Sequence, residues 1–184
     1  SFSLHGEGPY DVSKSCTDLI AQSYGKTYDI PVTVARCGNI YGGGDLNWSR
    51  IVPGTIRCLL QGLQPEIRSD GSFIRDYVYV MDIVDAYIHL AIETEKGRIN
   101  GEAFNFSRDE PISVMSLYKQ ICQSYNQVFI EPKILNSARS EIKDQHLDSS
   151  KAKRVLGWKS NFTLSDGLSE TIDWYKSNLS KVAP

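Results

Sequence analysis

Apolar residues recur at helical spacing in several parts of the chain, and the clearest such segment runs from Pro9 to about Tyr28. At 100° per residue, one face of this segment carries an apolar stripe, which consists of Val12, Cys16, Leu19, Ile20 and Ser23. Pro9 suits the first turn of a helix, where no backbone N–H is needed, and Pro31 prevents the helix from continuing. The pattern therefore predicts an amphipathic helix on which Tyr10 and Lys14, four positions apart, lie together on a second face.

Short β-branched and apolar runs separated by glycines predict strands after this helix. Residues 32–36 (VTVAR) form the first such run and lead towards a glycine-rich loop at 42–44. The segment SRIVPGTIRCLLQG predicts a helix that Gly62 ends. The segment PEIRSDGSFIRDYVYV predicts two short strands joined by a turn at Asp70 and Gly71.

Polar capping residues mark the starts of the remaining helices. Asp82 is the predicted N-cap of the helix DIVDAYIHLAIETE, and Ser113 is that of VMSLYKQICQSY. Thr163 and Asp166 resemble a capping box at the start of the final helix, and Gly157 is predicted to end the short helix before it. Because strands and helices alternate along the chain, the sequence indicates an α/β architecture.

The charge of the chain is nearly balanced, with 20 Lys and Arg residues against 22 Asp and Glu residues. This balance argues against a nucleic-acid partner, and no apolar run approaches the roughly 20 residues of a membrane span. The four cysteines are scattered without a CxxC pair, which predicts buried, reduced thiols in a cytoplasmic protein. The three histidines share no ligand spacing, so no metal site is predicted.

Five segments, in this order, resemble one known family: PYDVSK, RCGNIYGGG, RIVP, GSFIRDYVYVMDIVDAY and SSKAKRVLGW. Together they are similar to the C-terminal part of the extended short-chain dehydrogenase/reductases, in particular the nucleotide-sugar epimerases and dehydratases. The glycine fingerprint G-x-G-x-x-G, with which such proteins bind a dinucleotide, does not occur in the sequence. The resemblance therefore implies a C-terminal fragment that is inactive by itself.

The fold that the resemblance implies is the C-terminal part of a Rossmann-type doubly wound sheet together with a small α/β substrate-binding domain. The phosphate-binding N-terminal half is expected to be absent. Residues 1–45 are expected to form the last part of the dinucleotide-binding domain. Residues 46–184 are expected to form mainly the substrate-binding domain, with some segments returning to the Rossmann sheet.

The tyrosine–lysine pair is the catalytic site that the resemblance implies. Tyr10 is expected to remove the proton of the sugar 4-hydroxyl while hydride passes from C4 to NAD. A phenol ordinarily titrates near pH 10, so such a base needs a neighbouring cation, which Lys14 would supply. Tyr10, Lys14 and the backbone near Cys37 are expected to contact the NAD. The alternative, from spacing alone, is a surface tyrosine and lysine one helical turn apart.

A nucleotide-diphosphate hexose is the substrate that the resemblance implies. The guanidinium of arginine suits phosphate oxygens, because it offers paired donors in one plane. The expected substrate-binding residues are Asn39, Arg50, Arg68, Arg75 and Arg139. The alternatives are that Asn39 is an ordinary turn residue and that the arginines are solvated on the surface.

Two segments, GGGDLNWSRIVPGTIR and EIKDQHLDSSKAKRVLGW, are most similar to family members that act on CDP-glucose. They imply dehydration of CDP-glucose to CDP-4-keto-6-deoxyglucose, in deoxysugar synthesis for a bacterial surface polysaccharide such as lipopolysaccharide. A homodimer formed through the first helix is expected for the full-length protein. Two alternatives stay open: a nucleotide-sugar 4-epimerase, and a module that binds a sugar nucleotide without catalysis.

Overall fold

A computed structural model of the chain describes residues 8–126, 129–137 and 142–182. The helices in these ranges are α1 (Pro9–Tyr28), α2 (Ile51–Leu60), α3 (Val80–Glu95), α4 (Val114–Asn126), α5 (Ser150–Leu156) and α6 (Leu164–Val182). The strands are β1 (Val34–Cys37), β2 (Asn39–Tyr41), β3 (Glu66–Ile67), β4 (Ile74–Arg75), β5 (Tyr77–Tyr79), β6 (Ala103–Phe106), β7 (Ile112–Ser113), β8 (Lys133–Ile134) and β9 (Asp144–Gln145). This alternation is the predicted α/β architecture.

The strands form small sheets in which parallel pairing dominates. β1 pairs with β6, β2 with β5, and β3 with β8, all in parallel. β4 lies between β7, which is antiparallel to it, and β9, which is parallel. The predicted turn at Asp70 and Gly71 therefore does not join a hairpin, because β3 and β4 each pair with strands from elsewhere in the chain.

Two hydrophobic cores fill the interior of the described residues. The first core is built mainly by α2, α4 and α6 around fully buried side chains such as Ile56, Leu117, Tyr118, Leu168, Ile172 and Tyr175. The second core lies between α3, α5 and β6, around Ile83, Leu90, Phe104, Phe106, Ala152 and Trp158. Each core joins elements that are far apart in sequence.

The β2–β5 pair separates these cores, and we call it the shared wall. Successive side chains of a strand point to opposite faces. On β5, Tyr77 and Tyr79 accordingly belong to the first core, whereas Val78, between them, belongs to the second. Tyr41 of β2 also belongs to the first core. Each core therefore packs against one face of the same pair of strands.

Helix α1 has the boundaries that the sequence predicted. Gly8 precedes it in an extended conformation, Pro9 occupies its first turn, and Asp29 ends it in the left-handed region with φ 52°. Its apolar stripe, however, is exposed rather than packed against this chain: Val12, Leu19 and Ile20 are 44%, 54% and 58% exposed. The only residues that α1 buries are Asp18 and Gly25.

Most of the predicted helix ends are confirmed, and one is wrong. Ser113 Oγ accepts the N–H of Ser116, Thr163 and Asp166 form the capping box, and Gly157 ends α5 with φ 67°. Asp82 is not the cap of α3, because that helix already begins at Val80. The Asp82 carboxylate is buried and bonds residues near the start of α6 instead.

The four cysteines are all free thiols, as predicted, but they are not all buried. Cys122 is buried, Cys37 and Cys58 are half-buried, and Cys16 on the stripe of α1 is exposed. The expectation of a buried thiol is therefore wrong for Cys16. Among the helices of the described ranges, none combines the length and the apolar character needed to cross a membrane.

Candidate functional site

A cleft of about 2150 Å³ runs along the segment 33–41, every residue of which lines it. This segment contains β1 and β2. Within the described residues β1 pairs only with β6, so its other edge has no strand beside it. The start of α1 and the loops around α2, β3 and β4 also line the cleft. Ligands of open α/β sheets commonly bind at the ends of such parallel strands.

Tyr10 and Lys14 lie next to each other at the α1 side of this cleft. Pro9 and the extended Gly8 start the helix just before Tyr10, which places Tyr10 in the first turn and Lys14 in the second. The Lys14 Nζ lies 5.5 Å from the centre of the Tyr10 ring. Tyr10 is 72% exposed, and both side chains line the cleft. The phenol is thus accessible and has a cation beside it.

Cys37 ends β1 at the floor of the cleft. Burial raises the pKa of its thiol to about 11, so the thiol is protonated at neutral pH. A protonated thiol is a poor nucleophile. Cys37 therefore presents its backbone and an uncharged side chain to the cleft.

Asn39 begins strand β2 rather than lying in a turn, which removes the alternative that it is an ordinary turn residue. Its backbone N–H donates to the carbonyl of Asp76 at 2.7 Å. Its side chain is exposed and lines the cleft. The amide side chain therefore lies where a ligand in the cleft would meet it.

Three predicted arginines line the same cleft. Arg50 precedes α2, is 60% exposed at its side chain, and donates to Asp45 Oδ2 at 3.1 Å. Arg68 follows β3 and is exposed. Arg75 lies on the central strand β4, where it donates to the carbonyls of Ile74 and Lys143. Three of the predicted guanidinium groups therefore belong to residues that line the cleft.

Every predicted site residue within the described ranges lines this one cleft. They are Tyr10, Lys14, Cys37, Asn39, Arg50, Arg68 and Arg75. The remaining one, Arg139, lies outside the described residues. The part of the chain that the structure describes contains no cluster of three or more His, Cys, Asp or Glu side chains that could hold a metal ion.

The sequence analysis did not predict one ion pair that lines the cleft. Asp18, on α1, and Arg36, on β1, line the cleft and form an ion pair with an N–O distance of 2.7 Å. The sequence contained two signals for them. Asp18 follows Lys14 by one helical turn, and Arg36 is a charged residue inside an otherwise apolar strand.

Comparison with known proteins places this site in context. The model of the NAD dependent epimerase/dehydratase family matches residues 2–106, more than half of the 184 residues. The dTDP-glucose 4,6-dehydratase of Haemophilus influenzae is 30% identical over 188 residues, and the match covers 96% of this chain and 54% of that enzyme.

Two solved structures are similar over almost the whole chain. The dTDP-glucose 4,6-dehydratase of Bacillus anthracis, crystallised in complex with NAD, has a TM-score of 0.81 and 28% identity, covering 96% of this chain and 54% of that one. The UDP-glucose 4-epimerase of Thermotoga maritima, crystallised with UDP-glucose, has a TM-score of 0.81 and 29% identity, covering 95% and 55%. The chain thus spans about half the length of these three proteins.

Proposed function

We propose a function from one premise: the chain belongs to the NAD dependent epimerase/dehydratase family. On this premise, it supplies the substrate side of a nucleotide-hexose 4,6-dehydratase. The observation that carries the proposal is the cleft, which is lined both by an accessible phenol with a lysine beside it and by a set of arginines. The first group suits proton transfer from a sugar hydroxyl, and the second suits a pyrophosphate.

NAD is the cofactor of the family, and the α1 side of the cleft fits its nicotinamide riboside end. Tyr10 and Lys14 offer adjacent hydrogen-bond donors, which ribose hydroxyls accept. The backbone near Cys37, a residue that lines the cleft, would meet the nicotinamide amide. The chemistry that bound NAD would supply here is the reversible acceptance of a hydride from the sugar. The glycine fingerprint for the phosphates of NAD does not occur in this sequence.

Tyr10 takes the proton of the sugar 4-hydroxyl in this proposal. Its position in the first turn of α1 puts the phenol near the positive end of the helix macrodipole. The ammonium of Lys14 adds a full positive charge on the same face. Both place positive charge near the phenol that would handle the proton in this proposal.

The arginines hold the pyrophosphate of the substrate. Arg75 is fixed by two carbonyl groups on the central strand β4, so its guanidinium has a defined position. Arg50 and Arg68 are exposed and would add charge from the loops. Asn39 lines the same cleft, where it would bind the sugar or the pyrophosphate.

The finer identity of the substrate is also a proposal. The dehydratase relatives carry dTDP-glucose in their names, which supports glucose as the hexose and 4,6-dehydration as the reaction. The segments around 42–57 and 141–158 favour CDP as the nucleotide. Because the chain spans about half the length of these relatives, we propose that turnover requires a full dinucleotide-binding half and that the 184 residues alone are inactive.

The partner that we propose for α1 is a second copy of the protein. The exposed stripe of α1 is apolar at Val12, Leu19 and Ile20, and an apolar helical face of this kind suits packing against its own copy. This would make the full-length protein a homodimer.

The test of the reaction uses the full-length protein with NAD and CDP-, dTDP- or UDP-glucose. We expect a product that absorbs in the ultraviolet in alkali, as a 4-keto sugar does, and the fastest formation from CDP-glucose. No such product from any of the three substrates would contradict the dehydratase. A faster reaction with dTDP-glucose or UDP-glucose would contradict only the nucleotide.

The Tyr10→Phe substitution tests the catalytic assignment in the same protein. We expect turnover to fall by about 10²–10⁴-fold, because the phenylalanine has no group to take the proton, while substrate affinity is kept. Tyr24→Phe on the same helix is the matched control, since Tyr24 is exposed and outside the cleft. Near-normal turnover of Tyr10→Phe would reject the assignment.

A 4-epimerase is the second candidate, and the similarity to the UDP-glucose 4-epimerase favours it. The same tyrosine and lysine would serve, because both reactions begin by oxidation at C4. An epimerase would convert the glucose nucleotide into its galactose counterpart without a product that absorbs in alkali. Product analysis of the same assay therefore separates the two.

A further inference from the structure

Asp18 is buried on a helix whose other polar and apolar side chains are mostly exposed. It is 8% exposed, and among the residues of α1 only Gly25 is comparably buried. A carboxylate is costly to bury unless it is paired and hydrogen-bonded. The position of Asp18 therefore depends on its partners.

Arg36 donates a hydrogen bond to each oxygen of this carboxylate. Its Nε donates to Asp18 Oδ2 at 2.7 Å, and its Nη2 donates to Oδ1 at 2.9 Å. The Gln22 amide donates to the same Oδ1 at 2.5 Å. The hydrogen bonds from Arg36 lower the pKa of Asp18 and raise that of Arg36, so both groups stay charged.

Lys14 lies one helical turn from each of two possible partners. Tyr10 precedes it by four residues, and Asp18 follows it by four. Side chains four apart on a helix are neighbours, and a lysine readily pairs with a carboxylate at that distance. In the structure the Lys14 Nζ lies over the Tyr10 ring, at 5.5 Å, while both oxygens of Asp18 are occupied by Arg36.

We propose that Arg36 is a positioning residue: by holding Asp18, it keeps the ammonium of Lys14 beside Tyr10. The inference rests on the proposed function, in which Lys14 supports the phenol as a base. Without Arg36, Asp18 would be a carboxylate with only Gln22 bound to it, one turn from Lys14. Lys14 would then turn towards Asp18 and away from Tyr10.

Few other titratable side chains of α1, β1 and α3 line the cleft near Lys14 and Asp18. Besides Tyr10 and Lys14, the titratable residues that α1, β1 and α3 contribute to the cleft are Asp11, Asp18, Arg36, Cys37 and Tyr87. The Cys37 thiol is uncharged at neutral pH because burial raises its pKa to about 11. The carboxylates that these three elements contribute to the cleft are therefore Asp11 and Asp18. Of these two, only Asp18 accepts two hydrogen bonds from an arginine.

The test is the pH dependence of turnover in the full-length protein carrying Arg36→Gln. We expect the rising limb of the profile to move to higher pH. Turnover at pH 7 should fall about tenfold while turnover at pH 9 is retained, because the phenol loses its cation. Arg98→Gln is the matched control, since it removes an exposed arginine outside the cleft and should leave the profile unchanged.

The double variant Asp18→Asn/Arg36→Gln distinguishes a positioning role of Arg36 from a merely structural one. Because the asparagine at position 18 carries no charge to attract Lys14, the rising limb should return to its original place. A merely structural ion pair predicts no such return. If Arg36→Gln does not fold, Asp18→Asn alone decides: we expect its rising limb not to move to higher pH.

Two outcomes overturn the inference: a rising limb that does not move in Arg36→Gln, or one that does not return in the double variant. Either would leave the proposed function intact, provided that Tyr10→Phe still abolishes turnover. Near-normal turnover of Tyr10→Phe would instead reject the proposed function itself.

Discussion

The carboxylate of Asp82 joins α3 to the segment between α5 and α6, which is distant in the chain. It is 1% exposed and accepts the hydroxyl of Ser160 at 2.6 Å and the N–H of Asn161 at 2.8 Å. The backbone carbonyl of Asp82 also accepts the indole N–H of Trp158. Since Trp158 fills the second core, Asp82 positions the segment between α5 and α6 against α3.

We expect Asp82→Ala to lower the free energy of unfolding by about 2 kcal/mol or more, because two hydrogen bonds to a buried carboxylate are lost. Asp85→Ala, one turn along α3, is the matched control. Asp85 is half-exposed and lies 3.4 Å from His89, so its loss should cost less than about 0.5 kcal/mol. Urea unfolding measures both, and equal losses would contradict the role given to Asp82.

At the scale of elements, one of the contacts that hold α1 against the rest of the chain is between two glycines. A Cβ on Gly25 would overlap the backbone N and Cα of Gly101. Gly101 itself has φ 69°, and its N–H donates to the carbonyl of Val32 at 2.8 Å. The helix and the loop before β6 therefore meet through their backbones.

Gly25→Ala tests this contact. Alanine would stabilise the helix by about 1 kcal/mol through its propensity, but the overlap should cost about 1–3 kcal/mol, so we expect a net loss. Thr27→Ala, at an exposed position of the same helix, keeps the gain in propensity without the overlap. Thermal unfolding distinguishes them, and a Gly25→Ala protein as stable as Thr27→Ala would contradict the close approach.

Local signals predicted the helices better than they predicted the pairing of strands. The proline and apolar spacing predicted α1 from Pro9 to about Tyr28, and Thr163 with Asp166 predicted the start of α6, because these signals act within a few residues. The pairing of β1 with β6 joins Val34 to Ala103. Such long-range pairing depends on tertiary packing, which no short window contains.

The short range of local signals also explains which site residues could be predicted from the sequence. The four-residue spacing placed Tyr10 beside Lys14, because a helix fixes that neighbourhood locally. The arginines came from resemblance, not from spacing. Arg36 was missed because its meaning depends on Asp18, which lies 18 residues earlier on another element.

At the scale of the whole molecule, the homodimer that we propose depends on the apolar stripe of α1. We expect Leu19→Asp/Ile20→Asp to convert a full-length homodimer into a monomer at micromolar concentration, because buried carboxylates would oppose the contact. Sedimentation velocity measures this. Ile88→Asp on α3 is the control, since Ile88 is 53% exposed, much like Leu19 and Ile20. A parent protein that is already monomeric would reject the homodimer.

The shared wall has a consequence for motion. A hinge that moved one core relative to the other would have to pull Val78 or its tyrosine neighbours out of their packing. Motion of one core relative to the other therefore costs free energy, because buried side chains lose their packing. Closure around a bound molecule should come from the loops at the rim, with the two cores behaving as a single stiff body.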